Sequence, residues 1–532
     1  MLKYNEIAII DDGINVKFYN NIHRVKSSIE IDVNCNITKY KSDKIEYSHG
    51  TVCASIIKKY TKEAIINSIK IINKSKKTTG KQLIKAIEWC LENNIGIANL
   101  SLGSTDINEK EDIRKLINYA ANKGMIIIAA SSNDDKITYP ASFSNVIGVK
   151  TLKEPVQHGE YIYDYRPIDG VDILAPSIHK LKNYFEEEES NMCNSFAAPY
   201  ITAKVYNIIR EDNTLNSVTD MKYRLLKDSL NYKDIMDKNI LYNHPDWLDK
   251  AVIFNIVNNK NFKKNNSLYT FNIIEEKFIY EKDKCKILKY IKECIDNEIC
   301  EEFDTIVIKD FYCKNFNLNY FAENLSSYNK GLVYVNDLCE NLEPLAVEYK
   351  NKVWFTGIQK QFTYNLEKYF HVNIPVILIV GEKEEGMLST LKLQEIFRLN
   401  GYRCGVYSDI SLAELYNINF LPLKSLYYKN KLTINSVEET WDLGGLDLMI
   451  IFIDLYELEI SYIKSIEDFL ENDIRILINH DLDGVFMPDE RKYNINLDYK
   501  NNLPINQNNR CKNYNISDIE RVYQYIIELY NG

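Results

Sequence analysis

An α/β fold with a mainly parallel sheet is predicted by three features of this 532-residue sequence. Short apolar runs alternate with helically periodic segments from residue 5 to about 210. The residues able to do chemistry fall just after the apolar runs, where ligands of open parallel sheets sit. A second region, from about residue 304, repeats the strand-and-helix alternation.

The predicted strands, in order, are Ile7–Ile10, Ile65–Ile71, Gly96–Ser101, Met125–Ala130 and Val146–Val149. Each is an apolar run too short for a helix. The predicted helices are Gly50–Lys59, Thr79–Asn93, Glu109–Lys123 and Phe196–Glu211. A polar stretch at about 212–250 reads as irregular and as a boundary. Beyond it DTIVIK (304–309), GLVYV (331–335), VWFT (353–356), IPVILIV (374–380), LDLMIIFID (446–454) and DIRILIN (473–479) read as buried strands. The last helix is expected at Ser517–Tyr530, with Ser517 and Glu520 as a capping box. Three domains follow from this pattern: 1–235, an α/β accessory domain at 250–370, and 371–532.

The bulk numbers exclude several classes. A net charge of -10 disfavours a nucleic-acid partner, because phosphate binding needs clustered Lys and Arg. No run of about 18 apolar residues exists, so no membrane span is expected. The N-terminus enters a strand pattern at once and lacks the layout of a secretory signal. Eleven cysteines without CxxC or Cys/His metal spacing read as reduced thiols, and the expected location is the cytoplasm.

Four segments carry candidate chemistry. IAIIDDGIN places Asp11 at a strand end, SHGTVCASII places His49 at a helix start, IIIAASSND places Asn133 just past a strand, and CNSFAAPYITA places Ser195 at a helix start. Acyl transfer needs a nucleophile, a base, a group that orients the base, and donors for the oxyanion. A serine hydroxyl is hardly ionised at neutral pH, whereas an imidazole can take its proton and later return it. Singly, each residue is weak: an Asp after a strand is commonly a helix cap, and a serine before Ala-Ala-Pro is commonly a helix start. The chain order Asp…His…Ser is the discriminating feature.

These motifs resemble those of the subtilases, the subtilisin-like serine peptidases. IAIIDDGIN is similar to the family's Asp motif, HGTVCASII to its His motif and NSFAAP to its Ser motif. TYPASFSNVIGVKT and VDILAPS resemble two connecting segments, and the likeness runs through residues 5–210 in one continuous order. The resemblance implies a three-layer parallel-sheet domain and the roles orienter, base and nucleophile for Asp11, His49 and Ser195. It makes Asn133 the second oxyanion donor. It implies that Ser101, Leu102 and Gly103 wall the substrate cleft, pairing with an extended peptide, and that Ala130, Ser131 and Ser132 line the pocket for the residue before the scissile bond. No cofactor is required; some subtilases bind calcium, but no diagnostic acidic loop is seen here.

Three departures bear on activity. Asp12 stands where Ser or Thr is usual and could compete for His49 or be solvated. Cys193-Asn194 replaces Gly-Thr, and Cys lacks glycine's backbone freedom. Ser132 replaces a Gly. They suggest narrow specificity or low activity, and leave a peptide-binding module without turnover as the alternative. Cys193 and Cys53 also make a redox-sensitive site conceivable, with inert buried thiols as the plain alternative.

In the C-terminal region, GEKEEGMLST has a P-loop's glycine spacing at Gly381 and Gly386, but Met387 replaces the lysine that reaches phosphates. A degenerate Rossmann- or P-loop-like domain is expected. Nucleotide binding, with Asp454 imitating a metal-holding strand end, is the alternative. Residues 300–480 also resemble the accessory domain of peptide maturation system proteins. That resemblance implies a peptide or protein substrate, in particular a ribosomally made precursor.

Overall fold

The computed structural model describes residues 2–41, 47–73, 78–134, 136–153, 160–164, 167, 169–183, 186–212, 214–215, 217–233, 247–257, 269–297, 303–310, 318–328, 330–335, 353–356, 374–421, 423, 446–454, 460–470, 472–478, 493–498, 507–508 and 511–531. In the N-terminal region the elements are β1 (Lys3–Asp11), β2 (Ser27–Ile31), β3 (Ile37–Lys39), α1 (His49–Tyr60), β4 (Ile65–Lys70), α2 (Gly80–Glu92), β5 (Ile95–Leu100), α3 (Lys110–Asn122), β6 (Ile126–Ala130) and β7 (Ile147–Thr151). They continue with β8 (Ile162–Tyr163), β9 (Ile173–Ala175), a hairpin β10 (Lys180–Lys182) and β11 (Glu187–Glu189), α4 (Asn194–Glu211) and α5 (Val218–Lys227).

Nine strands form one sheet in the order β3-β2-β4-β1-β5-β6-β7-β9-β8. Its interior is parallel, and only the edge pairs β2–β3 and β8–β9 are antiparallel. Successive side chains of β1 point to opposite faces. Ile7 and Ile9 pack with Val52 and Ile56 of α1 and Ala197 and Ile201 of α4. Ala8 and Ile10 pack with Leu83 and Ile87 of α2 and Ile113 and Ile117 of α3. Each fully buried isoleucine contributes about 1.5–3 kcal/mol, so both faces hold the sheet between helices. Connections after β1 run to one side and those after β5 to the other. The order therefore reverses between these two neighbours, which opens a crevice at their carboxyl ends.

The expected strands and helices of the first 210 residues all form, within one or two residues at each end except that β1 starts at Lys3, four residues before the expected Ile7. The polar stretch is corrected: Val218–Lys227 is a helix, capped by the Ser217 side chain and burying Met221 and Leu225. Its alternation of one apolar residue per turn among charges hid it. Positions 234–246 of that stretch lie outside the described residues.

The chain divides into two compact units, the first Met1–Asp234 with Phe397–Arg403 and Leu443–Leu446, the second the remainder. The second unit contains β12 (Lys250–Ile256), β13 (Asn272–Ile279), α6 (Lys284–Asn297), β14 (Thr305–Asp310), α7 (Leu318–Leu325), β15 (Gly331–Val335) and β16 (Val353–Phe355). These strands form a parallel sheet in the order β13-β12-β14-β15-β16. β12 and β13 add to the strands that the sequence predicts; AVIFNI directly follows the polar stretch at about 212–250 in the sequence. An eight-stranded sheet follows, ordered β19-β18-β20-β17-β21-β22-β24-β23. Its strands are β17 (Val376–Gly381), β18 (Cys404–Ser408), β19 (Asn419–Phe420), β20 (Leu448–Asp454), β21 (Ile474–Ile478), β22 (Tyr493–Asp498), β23 (Gln507–Asn508) and β24 (Cys511–Asn515). Helices α8 (Lys383–Leu399), α9 (Ile460–Leu470) and α10 (Ile519–Asn531) accompany it.

Two local expectations here are corrected. Asn515, not Ser517, caps the terminal helical segment, accepting from the Ser517 N–H. Gly386 does not lie in a phosphate-cradling loop: α8 starts at Lys383, and the Gly386 N–H is already bonded to the Glu382 carbonyl at 2.8 Å. A Cβ on Gly386 would stand 1.9 Å from the Phe452 ring, so the glycine serves close packing of helix on strand. Among the described residues no helix is long and apolar enough to cross a membrane.

Candidate active site

Asp11 ends β1 and Ser101 follows β5, side by side because Ile10 pairs with Leu100. Behind Asp11 the chain turns at Gly13, whose φ of +102° favours glycine. The turn brings Asp12 over the N-terminus of α1. Its carboxylate accepts from the His49 N–H at 3.0 Å and the Gly50 N–H at 2.8 Å, while Ser48 accepts from the Thr51 N–H. Asp12 therefore neither competes for the imidazole nor stays solvated: it satisfies two orphan donors of the helix and places an anion at its positive end. Burial and the Asp11 charge raise the Asp12 pKa, against the pull of those two N–H groups. Gly50 allows the approach, since a Cβ there would lie 2.7 Å from the Gly13 carbonyl.

Thus anchored, His49 directs Nδ1 to the Asp11 carboxylate, 2.8 Å from Oδ2 and 3.0 Å from Oδ1. Asp11 is 1% exposed and the imidazole 32%. A carboxylate only accepts, so Nδ1 carries the proton and Nε2 is left as the base. Burial alone would depress the imidazole's pKa. The fields of Cys53 and Asp11 and hydrogen bonds with Asp11 and Cys193 outweigh it and raise the pKa. Burial pushes the Cys53 thiol up to about 11, so at neutral pH it is uncharged and the field on the ring is that of Asp11. The Phe196 ring stacks on the imidazole with centroids 4.8 Å apart.

Ser195 stands in the first turn of α4. Its hydroxyl donates to the Ser101 carbonyl at 3.1 Å rather than to His49. Pro199 explains a neighbouring contact. It has no N–H to give the carbonyl four residues earlier; the Ser101 hydroxyl donates to that Ser195 carbonyl instead, at 3.0 Å. Asn99 in turn donates to the Ser101 hydroxyl at 3.0 Å. Cys193 takes an extended conformation, φ -158° and ψ 155°, which any residue adopts, so the loss of glycine there costs no strain. Ser132 is not among the positive-φ residues either.

Asn133 is exposed, and its Oδ1 accepts from the Asn194 N–H at 2.9 Å. That bond fixes the amide's orientation and turns its NH2 group away from Asn194. Ala130 and Ser131 are buried and Ser132 is half-buried. Leu102 and Gly103, beside the cleft, have no backbone hydrogen-bond partner among the described residues, whereas Ser104 is bridged to Tyr139. The structure thus pairs Asp11 with His49 and Ser101 with Ser195, the two pairs linked through the Cys53 thiol, 3.7 Å from Asp11 Oδ2 and 3.2 Å from the Ser101 hydroxyl, with Asn133 bonded to the Asn194 N–H beside Ser195.

Sequence reasoning missed the capping role of Asp12, the contacts of Asn194 and His179. The last is buried, with Nε2 bonded to the Phe196 carbonyl at 3.1 Å and Nδ1 to the Tyr60 hydroxyl at 3.0 Å. It buttresses the serine helix, and no local motif announced it. Among the described residues Asp11, His49 and Cys53 are the one group with metal-ligating atoms mutually close, within 4.8 Å, and they coincide with the cluster above.

Among curated proteins the chain is similar to minor extracellular protease Epr of Bacillus subtilis (strain 168), 23% identical over 235 residues, 42% of this chain and 34% of that protein. Subtilisin Savinase of Lederbergia lenta is 27% identical over 123 residues, 23% of this chain and 44% of that protein. The chain therefore spans between a third and a half of the length of these relatives. A solved lanthipeptide protease overlaps 42% of this chain and 80% of its own at 14% identity and a TM-score of 0.34, a likeness that bears on neither substrate nor mechanism. The model described as Subtilase family matches residues 5–271, half of the sequence, and the chain belongs to that family.

Proposed function

We propose that the protein is a serine endopeptidase working through Asp11, His49 and Ser195. The observation that carries this reading is the Asp11 carboxylate on Nδ1 of His49, which leaves Nε2 as a base on an imidazole one-third exposed. In the proposed cycle the Ser195 hydroxyl leaves the Ser101 carbonyl, gives its proton to Nε2 and attacks the scissile carbonyl. Catalytic hydrogen bonds of an unliganded enzyme commonly tighten only with substrate. The Asn133 NH2 and the Ser195 N–H, backed by the α4 dipole, take the oxyanion. His49 then protonates the leaving amine, and water repeats the sequence on the acyl-enzyme. Leu102 and Gly103 offer free backbone groups for strand addition by the substrate; Ala130, Ser131 and Ser132 bound the side-chain pocket beside them. No cofactor enters these steps.

The proposed substrate is a specific precursor or leader peptide, a reading that rests on the likeness of residues 300–480 to peptide maturation proteins. The proposed location is the cytoplasm, consistent with seven free cysteines among the described residues. A second reading, a cleft that binds peptide without turnover, draws on the bond from Ser195 to Ser101. A fluorophosphonate probe separates the two. The peptidase reading expects labelling of the full chain that disappears in Ser195→Ala; no labelling of the wild type leaves the binding module.

A further inference from the structure

Asn194, in the family's usual threonine position, is 5% exposed, and its side chain is spent entirely on the backbone of the cleft. Its Oδ1 accepts from the Thr151 N–H at 2.8 Å, at the end of β7. Its Nδ2 donates to the Ser131 carbonyl at 3.3 Å and the Ser132 carbonyl at 2.7 Å, in the turn leaving β6. Its backbone N–H donates to Asn133 Oδ1 at 2.9 Å. One residue thus ties the first turn of the nucleophile helix to the end of one strand, to the turn after another, and to the side chain proposed as oxyanion donor.

We propose that Asn194 is a positioning and specificity-determining residue that fixes the pocket turn Ser131–Ser132 and the oxyanion amide of Asn133 as one rigid unit against the nucleophile helix. The inference rests on the peptidase reading. Donor and acceptor must both be present. Two carbonyl oxygens and one N–H meet the side chain, and only a primary amide of this length answers all three. A hydroxyl supplies one proton for two carbonyls. A carboxylate would confront both carbonyls with negative charge, leaving polar groups unpaired in a buried place. A loosened turn displaces two things together: the wall that selects the side chain before the scissile bond, and the NH2 group that must meet the oxyanion within hydrogen-bond distance. Misplacement of such groups by about 1 Å costs on the order of 100-fold in rate.

The test uses the full chain, a panel of short fluorogenic peptides varied at the residue before the scissile bond, and fluorophosphonate titration to count active sites. In Asn194→Ala, kcat per titrated site is expected to fall about 100-fold with a flattened side-chain preference, and Asn194→Asp is expected to fall further. In an Asn133→Ala background, Asn194→Ala is expected to cost little more in kcat, because the donor it positions is gone, while the preference still flattens. Asn194→Thr takes the place of the alanine variant if that one does not fold, with the same expectations. Undiminished kcat and unchanged preference, or a loss confined to melting temperature, overturns the brace and leaves the peptidase reading standing. Failure of the wild type to label at Ser195 overturns both.

Discussion

At the scale of single residues, the imidazole of His49 is governed by what touches each of its edges. Asp11 holds Nδ1, and replacing it by Asn removes both the negative field and the enforced tautomer. Asp11→Asn is expected to lower kcat on the order of 10⁴-fold with little change in KM, measured by steady-state kinetics. The raised imidazole pKa carries a sign. Pairing with Asp11 stabilises the fold fully below about pH 6.5, the ordinary histidine value, and that contribution is lost as pH rises through the higher folded value. Catalysis needs the opposite, neutral state, so the acid limb of kcat/KM is expected above about 6.5.

At the scale of elements, the site depends on two helix N-termini. The start of α1 is built from Asp12, Gly13, Ser48 and Gly50, and its tolerance is small. In Gly50→Ala the added Cβ would press on the Gly13 carbonyl at 2.7 Å and on Asp11 Cβ at 3.0 Å. Backbone cannot yield as a flexible side chain does, so destabilisation of about 1–3 kcal/mol is expected in a urea titration, together with loss of peptidase activity. The start of α4 is held differently, by Pro199 freeing the Ser195 carbonyl for the Ser101 hydroxyl and by His179 on the Phe196 carbonyl. Proline inside a helix usually signals a break; here the missing hydrogen bond is replaced from the neighbouring strand end.

At the scale of the whole molecule, the nine-stranded sheet puts every chemistry-bearing turn of the N-terminal region on one edge, and the reversal of order between β1 and β5 locates the crevice. Among its described residues the second unit repeats parallel α/β construction, and the segment after β17 forms no phosphate cradle. A helix that begins two residues after Gly381, with Gly386 packed against Phe452, leaves no open loop of N–H groups between the two glycines, and Met387 stands where a P-loop has its lysine. Titration of the full chain with ATP or GTP is expected to show no saturable binding; a saturable isotherm would restore the nucleotide reading.

The alternation of apolar runs and helical segments fixed the N-terminal strands and helices, since burial on both faces leaves an unambiguous run such as IAII or MIIIAA. Chain order and the resemblance of three motifs to those of subtilases singled out Asp11, His49 and Ser195 as candidates, and the structure sets Asp11 on His49 and Ser195 in the first turn of α4. Local signals failed where the signal is weak, as in α5, β12 and β13, or where two caps compete, as at Asn515 and Ser517. The roles of Asp12, Asn194 and His179 belonged to the tertiary structure alone. Through its side chain each bonds residues between 17 and 119 positions away. A hydrogen bond is settled by where folding brings a donor and an acceptor together, which no local pattern encodes.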